Sequence, residues 1–240
     1  MEISMKNFTV NKLPNANREM TFLKHIIAIA IVLFCRFAPV ACSEIRTFTD
    51  SEGNIFALQP ESGKQKGTLL YLDCNGGSIE DIDTSRFVFD SLGWNIAVCG
   101  KSKNHRSAII NREDILALVD YLQSLPQVNP LRIVIFGFSG QGAQAIGTAL
   151  QFPNLFGGII TECAHHGGIT NPNWNDAGGL PIILITRETD WNREHNERMA
   201  DLLTQNGLIV QLIVTEGEHH IGDSSELFEA CKLMNKLMSR

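Results

Sequence analysis

A serine at the end of an apolar, β-branched run is the residue in this sequence best placed to act as a nucleophile. The run Leu131–Gly142 reads LRIVIFGFSGQG, and the alanine-rich segment Ala143–Leu150 follows it. This order predicts a strand, a sharp turn that holds Ser139 in a strained backbone conformation, and a helix whose first free amide is that of Gly140. A buried strand followed by a helix with a capping serine would give the same short motif, which is therefore weak evidence alone.

Other chemically active residues follow further apolar runs along the chain, in the segments 73–77, 162–166, 186–190 and 216–220. A serine, an acid and a histidine in this chain order predict a catalytic triad, made here by Ser139, Asp190 and one of the adjacent His219 and His220. In such a triad the imidazole accepts the serine proton and the carboxylate orients the imidazole. Asp190 in isolation could equally be a helix cap, so the hypothesis depends on the ordered set.

The pattern of apolar runs predicts the elements that position these residues. The expected strands are Leu69–Leu72, Ile96–Cys99, Arg132–Phe136, Ile159–Thr161, Pro181–Thr186 and Val210–Thr215. The expected helices are Asp81–Leu92, Glu113–Leu125, Gly140–Phe152, Arg193–Asn206 and Ser224–Met238. Strands too apolar to be half exposed, alternating with helices, are typical of a mostly parallel sheet with helices on both faces. Such sheets carry their chemistry beyond the carboxyl ends of the strands.

The segment QVNPLRIVIFGFSGQGA, followed by FPNLFGGII, resembles the serine region of α/β-hydrolase esterases. The most similar groups are the polyhydroxybutyrate depolymerase/feruloyl esterase-like and dienelactone hydrolase-like sets, and the resemblance extends from about Thr68 to Leu237. It implies an α/β-hydrolase fold, with Ser139 as nucleophile, the Gly140 amide as one oxyanion donor and Asp190 as the triad acid. The segment LYLDCNGGS resembles the oxyanion loop of the family, which implies the Asn75 amide as the second donor, with that of Cys74 next.

The resemblance has departures and leaves the histidine open. Gln141 stands where the G-x-S-x-G pattern has glycine, so either the helix is displaced or Gln141 points into the site. Asp73 replaces the histidine that commonly opens the oxyanion loop. A loop of the form P-G-A-G-H would select His220 and one of the form P-G-G-H would select His219; we favour His219 because it leaves Ile221 at the commonly apolar second position after the histidine.

Four further residues are expected to line a substrate pocket: Gln141, His165, His166 and Trp191. A metal at the histidine pair would need three or four converging ligands, and adjacent histidines on one loop rarely both face one ion. The cysteines after residue 42 have no C-x-x-C spacing, so we expect neither a metal nor a cofactor. An oxidising compartment would permit a Cys74–Cys99 disulfide, although buried thiols are the default.

Composition and the N-terminal segment set the wider context. The chain of 240 residues has a net charge of −6 without a basic stripe, so nucleic acid is not an expected partner. Residues 1–42 are expected to be a leader, since Lys24 and His25 precede the apolar run Ile26–Cys35, which is about half of the roughly 20 residues that a membrane span needs. Translation could begin at Met1 or at Met20.

These features predict an exported protein whose catalytic domain spans residues 43–240. A secreted or periplasmic location is favoured, with a retained N-terminal or lipid anchor as the alternative and the one expected link to a membrane. The short interval between Gly142 and Asp190 predicts a fold without a large cap domain and an open site. The expected function is a serine hydrolase that cleaves a small or polymer-attached carboxylic ester through an acyl-enzyme on Ser139. Alternatives are a peptidase of the prolyl-oligopeptidase kind, or a non-catalytic binding protein with a hydrolase fold.

Overall fold

The computed structural model describes residues 46–60 and 66–239. The expected leader, residues 1–42, lies outside this part of the chain. Within the described residues, every helix is too short or too polar to cross a membrane.

The secondary structure alternates strands and helices. The strands are β1 (Thr47–Thr49), β2 (Ile55–Ala57), β3 (Thr68–Leu72), β4 (Asn95–Val98), β5 (Ile133–Phe138), β6 (Gly158–Glu162), β7 (Pro181–Arg187) and β8 (Ile209–Thr215). The α-helices are α1 (Ile79–Thr84), α2 (Ala108–Ser124), α3 (Ser139–Gln151), α4 (Trp174–Ala177), α5 (Arg193–Gln205) and α6 (Ser224–Leu237). A π-helical turn covers Val88–Leu92, and 3₁₀ turns cover Pro130–Arg132, Pro153–Leu155 and His166–Gly168.

All eight strands form one sheet in the order β1-β2-β4-β3-β5-β6-β7-β8. The β1–β2 and β2–β4 pairs are antiparallel, and all pairs from β4 to β8 are parallel. The chain therefore winds one way from β3 to β4 and the other way from β5 to β8, and β3 and β5 flank the point of reversal. Ligands of open α/β sheets bind beyond the carboxyl ends of the strands at such a point, where the chain leaves β5 for Ser139.

The strands are apolar because helices cover both faces of the sheet. Every residue of β3, β6 and β7 is buried. On β3, Leu70 and Leu72 pack in one core with Ile115 of α2, while Leu69 and Tyr71 pack in the other core on the opposite face. This period-two division of a continuous apolar run confirms the expected mostly parallel sheet with helices on both faces.

The structure differs from the expectation in short or irregular elements. The helix expected over 81–92 is α1 followed by a π-helical turn that ends at Gly93, whose φ is +65°. Helix α2 begins at Ala108, five residues before the expected start at Glu113. The sequence did not indicate this first turn because Ile109 and Ile110 are exposed, so the turn lacks an amphipathic pattern. Strands β1 and β2 were not predicted, since three residues are too few to show a period. No large cap domain occurs among the described residues.

Candidate active site

Ser139 lies at the junction of β5 and α3 in a left-handed backbone conformation, with φ +52°. A non-glycine residue in this region is strained, so the expectation of a strained turn is confirmed. Glycines permit the turn: a Cβ on Gly137 would lie 2.4 Å from the Gln141 carbonyl oxygen, and one on Gly142 would lie 2.8 Å from the Gly137 carbonyl oxygen. The strand and helix backbones therefore meet closely enough to push the Ser139 side chain out of regular structure.

Three loops bring the expected serine, acid and histidine together. The His219 Nε2 atom lies 2.9 Å from Ser139 Oγ, and its Nδ1 atom lies 2.7 Å from Asp190 Oδ1. Ser139 follows β5, Asp190 follows β7 and His219 follows β8, so the parallel sheet delivers all three to one edge. The imidazole is only 6% exposed. A hydroxyl, an imidazole and a carboxylate in one hydrogen-bonded chain can activate the hydroxyl as a nucleophile.

The Asp190 carboxylate is held ionised beneath the imidazole. Its Oδ2 atom accepts a hydrogen bond from Thr186 Oγ1 at 2.8 Å, and its Oδ1 atom accepts one from the Asn192 amide at 2.9 Å. Burial raises the pKa of Asp190, but the hydrogen bonds from Asn192, His219 and Thr186 outweigh it and hold the pKa below its ordinary value. A charged carboxylate at this place orients the imidazole and stabilises its protonated form.

The neighbouring histidine has a different role in the structure. The His220 side chain bonds through Nδ1 to the Glu218 carbonyl oxygen at 2.8 Å, and it is exposed. The geometry therefore selects His219 of the two as the imidazole between Ser139 and Asp190.

Aromatic rings enclose the His219 imidazole. Trp191 stacks on it with ring centroids 3.8 Å apart and planes 18° apart, and Phe138 lies on another side at 5.0 Å. Trp191 is itself 72% exposed, so it forms the outer wall of the site. Stacking fixes the plane of the imidazole, and the face of an indole favours a positively charged partner.

The amide expected as second oxyanion donor is already hydrogen bonded. The Asn75 N–H donates to Asp73 Oδ1 at 2.7 Å. Burial raises the pKa of the neighbouring Cys74 thiol, while hydrogen bonds from the Gln141 amide, the Asn104 side chain and the Gly140 amide lower it in part. The thiol itself donates to the Phe138 carbonyl oxygen at 3.3 Å and forms no disulfide with Cys99. The Gly140 amide and the Asn104 side chain thus both lie near the Cys74 thiol.

Gln141 belongs to a chain of polar contacts that reaches the loop after β4. Its side chain is buried, and its Oε1 atom accepts a hydrogen bond from Ser102 Oγ at 2.7 Å. Its Nε2 atom donates to Asn104 Oδ1 at 3.4 Å. The Asn104 side chain lies over Gly140, where an added Cβ would approach it to 2.4 Å. Gln141 therefore faces the loop after β4 and supports Asn104.

The two histidines expected in the pocket take different positions. His165 lines a cavity of about 240 Å³ together with Gly140 and Gln141. His166 instead bonds to His195 of α5, with their Nδ1 atoms 2.5 Å apart. The groups in the described residues that could together hold a metal are Cys163, Asp190 and His219, whose ligand atoms lie within 4.8 Å of one another. Because the Asp190 and His219 atoms are hydrogen bonded to each other, we assign this cluster to the serine–histidine–acid site and not to a metal.

A buried acid supports the loop that carries His219. Glu162, at the end of β6, is 1% exposed, and its Oε2 atom accepts a hydrogen bond from the Gly222 amide at 2.8 Å. Burial raises the pKa of Glu162 to about 7, even though the Arg187 guanidinium lies 3.9 Å away. Glu162 thus ties the end of β6 to the histidine loop.

Sequence reasoning missed the supporting residues of this site, namely Ser102, Asn104, Thr186 and Asn192. A usable signal existed for Asn104, because it lies in the loop that follows the carboxyl end of β4. Thr186 and Asn192 flank Asp190 in the sequence, yet nothing in their residue types distinguishes a partner of the carboxylate from a solvated loop residue.

Comparisons with known proteins agree with this architecture. The carboxylesterase of Bacillus cereus superposes with a TM-score of 0.61 and 16% identity, over 77% of this chain and 93% of that chain. A carboxylesterase from Mesorhizobium loti superposes with a TM-score of 0.63 and 12% identity, over 78% of this chain and 98% of that chain. FphF, a fluorophosphonate-binding serine hydrolase of Staphylococcus aureus, superposes with a TM-score of 0.60 and 14% identity, over 79% of this chain and 96% of that chain. The chain has the α/β-hydrolase fold.

The sequence comparisons add less. No protein-family model matches the chain. Protein bem46 of Schizosaccharomyces pombe is 28% identical over 111 residues, which cover 44% of this chain and 37% of that protein. The aligned part therefore spans little more than a third of the curated relative. The α/β-hydrolase fold rests on the structural likenesses and on the strand order.

Proposed function

We propose that this protein is a serine hydrolase that cleaves carboxylic esters through an acyl-enzyme on Ser139. The observation that carries the proposal is the hydrogen-bonded chain from Ser139 Oγ through His219 to Asp190, with Ser139 at φ +52°. The fold is shared with carboxylesterases of low identity, which supports the reaction class by analogy. Ester bonds fit an open site, since hydrolysing them needs no accessory domain.

The mechanism follows from the geometry of the triad. His219 Nε2 takes the Ser139 proton as the oxygen attacks the ester carbonyl, and Asp190 stabilises the imidazolium that forms. When the tetrahedral intermediate collapses, His219 returns the proton to the departing alkoxide, and the alcohol leaves. Water then attacks the acyl-enzyme with the same imidazole as base, which releases the acid and restores Ser139.

Two N–H groups are assigned to the oxyanion. The Gly140 amide lies in the first turn of α3 beside Ser139, and its N–H is one donor. The Asn75 amide donates to Asp73, and we assign the second donor to the Asn104 side chain, which lies over Gly140, ahead of the Cys74 amide, the other candidate. Gln141 orients this side chain by donating to its oxygen, and the Asn104 nitrogen lies against Gly140, 3.0 Å from the position of an added Cβ.

The test combines active-site labelling with turnover of 4-nitrophenyl esters. A fluorophosphonate should label the wild type and not Ser139→Ala, and Ser139→Ala should lose at least about three orders of magnitude in kcat. The adjacent histidines give a matched pair: His219→Ala should lose comparable activity, while His220→Ala should retain it. Retained turnover in pure Ser139→Ala or His219→Ala would refute the mechanism. Cleavage of peptide anilides in preference to esters would favour the peptidase alternative, and absence of both labelling and turnover would favour a binding protein.

A further inference from the structure

A groove runs along one side of α3 and begins at Gly140, next to the nucleophile in the sequence. Its walls are α3 from Gly140 to Gln151, the start of α2 and the loop 165–170, and it encloses about 240 Å³. Gly140 is the residue after Ser139, so one end of the groove lies one residue from the nucleophile. The stretch of α3 that borders it is about 16 Å long at the usual helical rise. We call this feature the α3 groove; it is long enough to receive a substituent attached to the ester.

The charge of the α3 groove is opposite to that of the whole chain. The protein has a net charge of −6. Among the described residues, the lining of the groove contains no aspartate or glutamate, whereas it contains Lys103, Arg106 and Arg112 together with His105 and His165. A cleft lined by one sign of charge concentrates ligands of the other sign.

The cations of the groove are not equally available. Arg106 is bound to Asp114 and also donates to Asn111 Oδ1 at 3.1 Å, so its charge is largely used within the protein. Arg112 is half-buried and Lys103 is exposed, and in the described part of the chain neither lies within ion-pair distance of a carboxylate. Arg112 therefore offers an uncompensated guanidinium, whose fork of N–H donors matches a carboxylate or a phosphate.

His165 adds a neutral donor on the opposite wall. Burial, together with the nearby His195 and His166, lowers the pKa of His165, so the ring is neutral at neutral pH. The Gly167 amide donates to His165 Nδ1 at 3.2 Å, which assigns the ring proton to Nε2. The groove thus presents a guanidinium on one wall and an N–H donor on the other.

We propose that the α3 groove binds a negatively charged group of the ester substrate, a carboxylate or a phosphate, with Arg112 as its principal contact and Lys103 as a second. This assignment rests on the proposed esterase function, because it concerns the substrate of the same Ser139. It names a substrate class, esters that carry an anionic group on the acyl or the alcohol side.

Matched pairs of esters test the preference. For a carboxylate, 4-nitrophenyl glutarate is compared with 4-nitrophenyl valerate, which has a methyl group in place of the charge. For a phosphate, the acetyl ester of glycerol phosphate is compared with the acetyl ester of glycerol. The wild type should favour at least one anionic ester over its neutral partner by about tenfold in kcat/KM, mainly through KM, as a charged hydrogen bond predicts. The better arm identifies the anion, and equal or lower values for both anionic esters would overturn the proposal.

Substitution of Arg112 gives the second arm. Arg112→Gln should reduce kcat/KM for the preferred anionic ester by about tenfold and leave the neutral ester unchanged. Arg198→Gln is the matched control, since Arg198 is exposed on α5 and pairs with Glu194; it should change neither. Equal losses on both esters in Arg112→Gln would overturn the assignment.

Failure of the proposed function is distinguishable from failure of the groove. Turnover of valerate with no preference for glutarate overturns only the groove. If no ester is turned over, the esterase function is overturned, and binding of glutarate and of inorganic phosphate then tests the groove. If Arg112→Gln does not weaken that binding, the groove assignment is overturned as well.

Discussion

Replacing Asn104 by alanine separates the two candidate donors to the oxyanion. The Asn104 side chain accepts one long hydrogen bond from Gln141, of 3.4 Å, and bonds to the Cys74 thiol, whereas its backbone amide donates to the Cys74 carbonyl oxygen at 2.9 Å. The substitution removes the side-chain contacts and keeps the backbone one, so the loop should stay in place and the stability loss should be about 1 kcal/mol or less. Loss of one oxyanion donor costs about 10²–10³ in kcat, equivalent to about 3–4 kcal/mol. The expected result is a catalytic defect far larger than the structural one.

The assay is steady-state hydrolysis of a 4-nitrophenyl ester, with thermal unfolding measured on the same samples. Asn104→Ala should lower kcat by about a hundredfold or more with a small change in KM, and Asn104→Asp should lose more, because it brings a negative charge to the developing oxyanion. Labelling by a fluorophosphonate should slow in parallel, since the phosphonyl oxygen occupies the same donors. Asn154→Ala serves as the control: Asn154 follows the far end of α3 and its side chain bonds only to Asp176 among the described residues.

Asp73→Ala gives the opposing arm, because it frees the Asn75 amide. If Asn75 is the donor, Asp73→Ala raises kcat while Asn104→Ala stays within about threefold of the wild type, a threefold change being about 0.6 kcal/mol. That pair of results would refute the assignment of Asn104. A large loss in Asn104→Ala with little gain in Asp73→Ala would support it.

Three further predictions concern the supporting structure. The pKa of Glu162 is raised from 4.5 to about 7, so between these pH values the folded protein binds a proton that the unfolded chain has lost. The free energy of unfolding should therefore fall as pH rises through this range, by about 3 kcal/mol at most. Glu162→Gln should remove this pH dependence in denaturant titrations, and a dependence that persists would contradict the reasoning. Trp191→Ala should lower kcat/KM by about 2–12-fold through loss of the ring stacked on the imidazole, and Trp191→Phe should recover part of it, with equal losses in the two variants speaking against stacking. Gly137→Ala should destabilise by about 2 kcal/mol or more, since its Cβ would meet the Gln141 carbonyl oxygen at 2.4 Å, while Gly178→Ala, with no atom within 4 Å, should unfold like the wild type.

The sheet and the hydrogen-bonded serine, histidine and acid at its edge could be predicted from the sequence because both depend on local patterns. Buried parallel strands are short apolar runs, and residues just after them must lie at one edge of the sheet. The structure has Ser139, Asp190 and the histidine pair after strands β5, β7 and β8, as the apolar runs predict. The sequence favours His219 over His220 only through the position of Ile221, since loops that differ by one residue bring either imidazole to the same strand end.

Contacts between loops could not be predicted from the sequence. The occupation of the Asn75 amide depends on the side-chain conformation of Asp73, and the position of Asn104 over Gly140 depends on how the loop after β4 packs against α3. Neither contact produces a periodic pattern or a fixed residue spacing in the sequence. The same holds for Trp191, whose contact with the imidazole joins two loops on different strands.

The two departures from the esterase pattern have one physical explanation. Asp73 binds the Asn75 amide, which removes a donor from the loop after β3. A buried glutamine, Gln141, replaces the glycine of the pattern. Its side-chain amide forms hydrogen bonds with Ser102 and Asn104, and these bonds position the Asn104 side chain in the loop after β4. In the proposed mechanism, one change withdraws a hydrogen-bond donor from the oxyanion and the other supplies one from the loop after β4. On this argument Gln141→Gly, the residue of the usual pattern, should lower kcat unless Asp73 is removed with it, and a double variant Gln141→Gly/Asp73→Ala that is more active than Gln141→Gly alone would show that the two positions are coupled.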